Sequence, residues 1–534
     1  MRAKVLLLLL AALAVAAVVT CWEVPRDEGP VLNRGLAAEP ESLDPHKGRS
    51  SQAAEVQRDI GEGLVSYTEQ GELVPGAAQR WEVSEEGTTY TFYLRPEARW
   101  SNGDPVLAEH FAFSLRRLVN PETASFYAQF LGDLVNATDI IEGKKSPQTL
   151  GVEAVDDLTL KLYLDRPTPY MLNLLTHPST FPIHPGSFHE HGESFVRPGN
   201  LLSNGAYVLE KWVPGSNIAV RRNDSYWNNA ETSIERVAYH VLVDAAAELN
   251  RYRAGELHIT SDVPPDSFQA VKKQYPGELQ VSPTLGVYYY GYNLTKPPFR
   301  NSPELRQALS MAIDRDMLAE KIIGRGEKPA YSWVPPGVAN YEPTLMSFAS
   351  LTQEERNTIA RGLLAEAGYG PDKPLEIEIR YNTSDFHRRV AVAVQAMWRD
   401  ALGVEATLVN EEFQVLLANV RAREITQVFR ASWVGDYNDA HTFLSIMQSS
   451  GSSNMPAYSS SEFDSLVERA ANQTDLDRRR LFLEEAERVL LADHAVIPLY
   501  FYVSKHLVSP EVSGWGDNVL DYHYSQHLSL SASE

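Results

Sequence analysis

The sequence predicts a large mixed α/β protein built from several domains, and three observations support this prediction. The chain has 534 residues, which is enough for two to four domains at about 100–200 residues each. Segments in which apolar and polar residues alternate, typical of half-buried strands, occur at 89–94 and 158–164. Segments with apolar residues three and four positions apart, typical of amphipathic helices, become frequent after residue 286. Because the two patterns interleave, we expect sheets covered by helices, in domains that are discontinuous in sequence.

Individual elements follow from the same patterns. In the first part of the chain, residues 64–67 predict a further strand and residues 108–118 predict a helix. Strand patterns return at 218–220 and 237–243, before a helix at 245–252. The second half predicts helices at 304–323, 354–367, 386–402 and 461–492, and strands at 377–379, 406–409 and 496–503.

The charge balance excludes one large class of function. The chain has 48 lysines and arginines against 70 aspartates and glutamates, and its net charge is −22. A nucleic-acid-binding protein needs a basic surface for phosphates instead. The single cysteine, Cys21, allows no internal disulfide and no CxxC metal or redox site. We therefore expect an acidic globular protein that does not bind nucleic acid.

The first 21 residues predict an export signal. Arg2 and Lys4 precede 15 consecutive apolar residues, Val5 to Val19. A positive start before an apolar run shorter than the roughly 20 residues of a spanning helix is typical of a secretory signal. Cys21 stands where a lipoprotein carries its acylated cysteine, but Thr20 is unusual directly before such a cysteine. A lipid anchor at Cys21 and a conventional or retained signal both remain open.

No motif indicates a catalytic or metal site. The chain contains no GxSxG nucleophile elbow, Walker A loop, HExxH pair or CxxC pair. The cluster at 189–193, HEHGE, contains metal-binding residue types, but their spacing is not that of two ligands on neighbouring helix turns, and we expect a solvated loop there. We therefore expect a protein that is not an enzyme and that has neither a metal nor a cofactor.

One segment combines the features of a binding site. Residues 429–439, FRASWVGDYND, begin as an apolar strand that contains Arg430, pass through a bend at Gly435 and end with the carboxylates of Asp436 and Asp439. An arginine and an aspartate six residues apart on a long strand can present opposite charges along the wall of a cleft. An arginine–aspartate pair satisfied within the protein is the alternative interpretation.

This segment belongs to an ordered series of motifs that runs along nearly the whole chain, from about Val31 to about residue 530. Its members are ESLDPH at 41–46, EGL at 62–64, LVPGAA at 73–78, RWSNGDPV at 99–106, SNGAY at 203–207, YWNNA at 226–230, KPPF at 296–299, AIDRD at 312–316, YNTSD at 381–385 and GDYN at 435–438. The series resembles the extracytoplasmic solute-binding proteins of peptide ABC transporters (family 5), and within them the periplasmic oligopeptide-binding branch.

The resemblance implies a periplasmic-binding-protein-like α/β fold in which two lobes are joined by a hinge and accompanied by an extra third domain. After a signal at 1–21, lobe I would comprise residues 31–61, 186–285 and 503–534. The extra α/β domain would comprise residues 62–185, and lobe II residues 286–502. The lobes are expected to close over a buried cleft.

The resemblance also implies a function. A periplasmic monomer would capture short peptides of about two to five residues and deliver them to an ABC transporter permease in the inner membrane. A peptide added as a β-strand offers the same backbone donors and acceptors whatever its sequence, which accounts for binding with little regard for side chains. Strand-like backbone at 432–434 and 49–51 would lie on either side of the peptide, which includes Ser432, Val434 and Ser51 in the site.

Charged residues are implied for the two ends of the peptide, because an enclosed charge without a partner is unfavourable. By resemblance, Asp436 binds the peptide's ammonium group. Arg430 and His387 correspond to residues that meet the peptide's carboxylate, and Arg421 is a further candidate for that role.

The remaining site residues implied by the resemblance are aromatic. Tyr127 and Trp433 would flank the peptide backbone, and Phe413 would line a side-chain pocket. Gly286 and Val434 occupy the positions of two cysteines that form a disulfide in the family, which agrees with the single cysteine of this chain.

Two other functions remain open. A relative in the same family could bind cell-wall (murein) peptides. An envelope peptidase or amidase would show turnover where a binding protein shows stoichiometric binding, but the sequence offers neither a nucleophile nor a metal set for it.

Overall fold

The computed structural model describes residues 29–451 and 453–531. The predicted export signal and Cys21 lie outside these ranges. Within them the chain forms three larger sheets and two two-stranded sheets, with helices between the strands. Every helix in the described ranges is too short or too polar to span a lipid bilayer.

The first sheet and its helix form lobe I. The sheet pairs its first two strands in parallel and the others antiparallel. Its strands, in spatial order, are Val31–Leu36, Arg236–Val241, Asn217–Arg222 and Tyr207–Val213. Leu32, Val237 and Val220 face a core on which the helix Ser51–Ile60 packs through Val56.

A four-stranded antiparallel sheet forms the extra domain. Its strands, in spatial order, are Ala78–Val83, Thr89–Leu94, Thr159–Tyr163 and Val152–Asp156. The helix Ala108–Val119 buries Phe111, Leu115 and Leu118 against Phe92 and Leu160. The strands predicted at 89–94 and 158–164 and the helix predicted at 108–118 are confirmed here, because alternation and helical spacing both record one buried face.

Lobe II contains the largest sheet and the largest core. Its strands, in spatial order, are Lys328–Pro329, Val496–Leu507, Leu279–Tyr292, Val428–Val434, Glu376–Asn382 and Glu405–Glu411. The last three strands pair in parallel and the others antiparallel. The helices Gln353–Glu366 and Asp385–Leu402 pack on this core through residues such as Leu364, Val394 and Trp398. The mixed α/β class and the arrangement of two lobes with an extra domain are thus observed, while the exact domain boundaries stay predictions.

Two long strands connect the lobes. Leu279–Tyr292 and Val496–Leu507 pair antiparallel over almost their whole length. At one end Leu507 belongs to a small core beside lobe I, and at the other end Val287 and Val496 belong to the core of lobe II. The pairing is irregular between Pro283 and Val287, and a β-bulge of this kind bends a strand locally. The two strands therefore form the hinge.

The remaining elements of the described chain are small strands and further helices. Its small strands are Val65–Tyr67, Leu73–Pro75, Val512–Ser513 and Ser529–Leu530. Its remaining α-helices are Ala137–Ile141, Met171–Leu174, Pro185–His191, Ala245–Arg253, Phe268–Gln274, Pro303–Met311, Arg315–Met317, Phe413–Ala422, His441–Leu444, Ser461–Ala471 and Leu476–Ala492, and Leu318–Ile323 is a π-helical turn.

Four expectations from the sequence are corrected by local capping. The helix predicted at 304–323 is interrupted where Asp314 accepts a hydrogen bond from the Met317 amide and starts a new turn. The helix predicted at 461–492 divides where Asp475 caps the second half. Residues 49–51 are not a strand, because Ser50 caps the helix that begins at Ser51. Residues 189–191 end the helix Pro185–His191 and are not a loop.

Candidate functional site

A cavity of about 520 Å³ lies where the two lobes and the extra domain meet. Lobe I contributes the start of the helix Ser51–Ile60, and the extra domain contributes Tyr127. Lobe II contributes residues 434–436, and the hinge contributes Thr284 and Leu285. The volume is typical of sites that enclose small ligands, which measure about 300–1,000 Å³.

The loop that carries Asp436 is held firmly. It follows directly on the strand Val428–Val434, and the Gly435 amide donates a hydrogen bond of 2.7 Å to the Leu285 carbonyl. A Cβ atom at 435 would lie only 3.0 Å from the Thr442 side chain, so glycine allows the chain to pass close to it. Further along the loop, Asp439 forms a two-pronged ion pair with Arg479, with contacts of 2.7 and 2.8 Å. Both anchors fix the position from which Asp436 points into the cavity.

Asp436 presents a carboxylate without a cationic partner. Among residues 29–451 and 453–531, no lysine or arginine forms an ion pair with it. The side chain is exposed to the open cleft, but the surrounding walls displace part of its hydration. Desolvation therefore raises the pKa of the carboxyl group from 3.8 to about 6. A ligand cation beside Asp436 would replace the missing hydration.

Arg430 lies on the strand Val428–Val434, on the same face as Val434, four residues before it. Its guanidinium donates hydrogen bonds to Asn382 Oδ1 at 3.3 Å, Ser432 Oγ at 3.2 Å and the Tyr502 hydroxyl at 3.3 Å. None of these acceptors is charged, and no carboxylate of the described chain pairs with Arg430. The interpretation of Arg430 and Asp436 as an internal ion pair is therefore wrong.

His387 belongs to the same polar group. It lies near the start of the helix Asp385–Leu402, and its Nδ1 is 3.2 Å from the Tyr288 hydroxyl. Tyr288 also lies under the Arg430 guanidinium, 4.7 Å from ring centre to Cζ. Burial and the nearby charge of Arg430 lower the pKa of His387 to about 4. His387 is consequently neutral at pH 7, and Arg430 is the cation of this group.

The structure divides the ten predicted site residues into three sets. The residues that line the cavity are Asp436, Val434, Tyr127 and Ser51. There the Tyr127 hydroxyl donates a hydrogen bond of 3.1 Å to the Arg49 carbonyl. Arg430, Ser432 and His387 form the polar group described above, on the lobe II wall.

The third set lies apart from both groups. Trp433 faces the other side of its strand and packs against the lobe II core, and its buried indole N–H has no partner within the described chain. Phe413 and Arg421 are exposed on the helix Phe413–Ala422, and neither lines the cavity.

Sequence reasoning missed several cavity residues. Arg34 and Glu55 form an ion pair of 2.9 Å on the lobe I wall. Beside them, His506, Asp521 and His523 bring their side-chain donor atoms within 4.8 Å of one another, an arrangement able to hold a metal ion. Asp521 and His523 are separated by one residue, a spacing visible in the sequence, but His506 is 15 residues before Asp521 and nothing in the pattern links it to them.

Two lobes joined by two long strands, with a cavity between them, are the architecture of a solute-binding protein. The family model described as "Bacterial extracellular solute-binding proteins, family 5 Middle" matches residues 72–455. The chain belongs to this family.

Curated relatives match over almost their full length. The periplasmic oligopeptide-binding protein OppA of Escherichia coli (strain K12) is 40% identical over 527 residues, which cover 97% of this chain and 96% of OppA. The periplasmic murein peptide-binding protein MppA of the same organism is 39% identical over 500 residues, which cover 93% and 92% of the two chains. Both relatives are named as peptide-binding proteins.

Solved structures add information on the arrangement of the lobes. The unliganded open form of MppA matches with a TM-score of 0.88 at 38% identity and covers 93% of this chain and 97% of that one. A second MppA structure, from Escherichia coli, has the same identity but a TM-score of 0.74, with coverage of 93% and 98%. Haemophilus influenzae OppA in complex with RPPGFSPFR gives 0.73 at 37% identity, with coverage of 94% and 99%. Sequence identity is nearly the same in the three comparisons, so the higher TM-score of the open form comes from the arrangement of the lobes. The lobes of this chain are therefore arranged as in the open form.

Proposed function

We propose that this protein captures short peptides of about two to five residues between its lobes and delivers them to an ABC transporter permease. The proposal rests above all on one observation: a carboxylate and a guanidinium without charged partners lie on one strand and the loop that follows it. Asp436 would bind the ammonium group of the peptide, and Arg430, with neutral His387 beside it, would bind the carboxylate. Each charge of the peptide then gains a partner in the cleft.

The spacing of the two charges suits a short peptide. Six residues separate Arg430 from Asp436, which corresponds to at most about 20 Å at 3.3 Å per residue of extended chain. A peptide of three to five residues spans about 10–18 Å when extended. Peptides of this length would therefore bridge the two charges.

Main-chain pairing would supply affinity that does not depend on sequence. The exposed end of the strand at Val434 and the Tyr127 side, where the hydroxyl already contacts the Arg49 carbonyl, are candidate positions for pairing with the peptide backbone. Since residues 49–51 begin a helix, that side of the cleft would offer only a short extended stretch before Ser51. Arg421 and Phe413 would contact the peptide only after the lobes close, whereas Trp433 would stay on the opposite face of its strand.

The same proposal covers location and partners. Residues 1–21 would direct export to the periplasm, with or without a lipid on Cys21, and the monomer would carry its cargo to the permease without cleaving it. The oligopeptide-binding and murein peptide-binding relatives leave both kinds of cargo as candidates.

The decisive experiment identifies the cargo. The protein is purified from the periplasmic fraction and denatured, and mass spectrometry identifies the molecules that it releases. Calorimetry then measures the affinity of the protein for a synthetic tripeptide. Released free peptides and one tripeptide bound per chain support the proposal, and D-amino-acid-containing murein peptides redirect it to cell-wall cargo. Cargo without a free amino group, or cleavage of the tripeptide, contradicts it.

A further inference from the structure

Three side chains on the lobe I wall of the cavity converge on one point. His506 lies at the end of the hinge strand Val496–Leu507, whereas Asp521 and His523 lie in the C-terminal segment. His506 Nε2 is 3.0 Å and His523 Nε2 is 3.2 Å from the same carboxylate oxygen, Asp521 Oδ1. All three residues line the cavity, so that a small ion can reach them from solvent.

Contacts outside the trio orient both imidazole rings. The Nδ1–H of His506 donates to the Thr260 carbonyl at 2.8 Å, which leaves Nε2 directed at Asp521. A metal-bound histidine usually donates its second nitrogen in this way, because the contact fixes the ring and the tautomer. The ring of His523 is stacked on Trp515, with 3.5 Å between ring centres and 17° between planes. The backbone carbonyl oxygen of His523 accepts a hydrogen bond of 2.8 Å from Arg34, which anchors the backbone of His523.

The donor set and its spacing match those of a transition-metal site. Two imidazole nitrogens and one carboxylate oxygen suit Zn²⁺ and neighbouring divalent ions, which bind such ligands at about 2.0–2.2 Å. Ligands around one tetrahedral ion at these bond lengths are about 3.3–3.6 Å apart. The two observed separations, 3.0 and 3.2 Å, are slightly shorter, so the three donor atoms would move apart by a few tenths of an ångström to admit an ion.

The surrounding charges accept a cation. Arg34 lies beside the trio, where it contacts the His523 carbonyl, and Glu55 balances its charge through an ion pair of 2.9 Å. Arg58 is a second nearby cation, with its guanidinium 3.4 Å from the centre of the Tyr522 ring. Asp59 lies on the far side of the same group and accepts hydrogen bonds from Tyr239 and Ser525. The Asp521 carboxylate accepts hydrogen bonds from both histidines, so a bound ion would take the place of the proton on His506 Nε2, which would be released to solvent.

We propose that His506, Asp521 and His523 bind one divalent first-row transition-metal ion, represented by Zn²⁺, on the lobe I wall of the cavity. Three protein ligands leave at least one coordination position open, and this position faces the space where cargo would lie. The metal site stands on these three residues alone and does not require that the cargo be a peptide.

Binding is tested on the full exported chain after removal of metal with EDTA and dialysis. Calorimetry with ZnCl₂ should give one ion per chain. Since loss of an outer-shell partner alone costs about 10- to 100-fold in metal affinity, Asp521→Asn and His523→Ala should each weaken the affinity by at least about 100-fold. The double variant His189→Ala with His191→Ala is the matched control, because it removes two histidines outside the cavity, and it should bind Zn²⁺ as the wild type does.

A second readout needs no ligand variant. Because Trp515 is stacked on His523, Cu²⁺ at this site should quench the fluorescence of Trp515 in the wild type, and EDTA should restore it; the quenched signal should be missing in Trp515→Phe. The proposal would be overturned if the wild type did not bind one Zn²⁺ per chain, or if a folded Asp521→Asn variant bound Zn²⁺ with unchanged affinity. The three residues would then be a hydrogen-bonded group only. Tripeptide affinity measured in EDTA is a separate result, so a failure of the metal site is distinguishable from a failure of the proposed peptide binding.

Discussion

Replacement of Asp436 by asparagine is the sharpest test of how the cleft binds its cargo. The change keeps the size of the side chain and one carbonyl oxygen but removes the charge. Within the described chain, the hydrogen bond that Asp436 makes comes from its backbone amide, which donates to Thr442 Oγ1 at 3.3 Å, and not from its carboxylate. The loop should therefore keep its shape in the variant. Desolvation raises the pKa of this carboxyl group above its ordinary value, which means that its ionised form opposes folding near pH 7. The variant should therefore unfold at the same temperature as the wild type or a higher one.

The loss of affinity can be estimated from the pair that the change removes. Truncating one partner of a desolvated charge pair in an interface typically costs about 2–5 kcal/mol. At about 1.4 kcal/mol per factor of ten, Asp436→Asn should weaken the binding of a tripeptide roughly 30- to 3000-fold. Much of this effect comes from the ammonium group that is left in the closed cleft without a partner.

The assay is calorimetry with a free tripeptide and with the same peptide acetylated at its amino end. The wild type should lose affinity by a comparable factor on acetylation, whereas Asp436→Asn should discriminate little between the two peptides, since the charge that reads the amino end is gone. Asp372→Asn is the matched control, because Asp372 is an exposed carboxylate of lobe II that does not line the cavity. A change of less than threefold in the Asp436 variant, with normal folding, would refute the assigned role.

Three further predictions follow from the same geometry. With a pKa of about 6, Asp436 is about one-tenth ionised at pH 5. The affinity of the wild type for a tripeptide should therefore be about tenfold weaker at pH 5 than at pH 7.5, and that of Asp436→Asn should change little between the two pH values. Equal pH profiles of wild type and variant would contradict the role of Asp436. Arg430→Gln should weaken the binding of peptides with a free carboxylate about 10- to 150-fold and leave amidated peptides unaffected, as calorimetry can show. Saturating peptide should lower the radius of gyration in X-ray scattering toward about 24 Å, the value for a compact chain of this length, and an unchanged radius would exclude closure.

Regular periodicity made much of the fold predictable. The strand at 89–94 appears as Thr89–Leu94 and the helix at 386–402 as Asp385–Leu402. Both elements have one buried face, and burial imposes the period that the sequence displays. Where an element is interrupted by a cap, periodicity continues across the break and conceals it, as at Asp314 and Asp475.

The candidate site was less predictable, because most of it depends on contacts between distant segments. The charges of Arg430 and Asp436 share one stretch of sequence, so their relation could be seen in advance. The convergence of His506 with Asp521 and His523 depends on how the C-terminal segment packs beside the hinge. The pair Gly286 and Val434 lies between these cases: the resemblance named both positions, and the register places them directly opposite on neighbouring strands.

Under the proposed function, the separation of the two charges would give the cleft its selectivity. If Arg430 and Asp436 could meet, they would neutralise each other and compete with any ligand. The extended strand between them prevents this, because Arg430 instead contacts the uncharged Asn382, Ser432 and Tyr502, and the anchored loop after Gly435 holds Asp436 toward the cavity. Both charges stay partly desolvated and unpaired in the open form. A molecule relieves both only if it carries an ammonium group at one end, a carboxylate at the other and a length that matches the strand, which is the description of a short peptide.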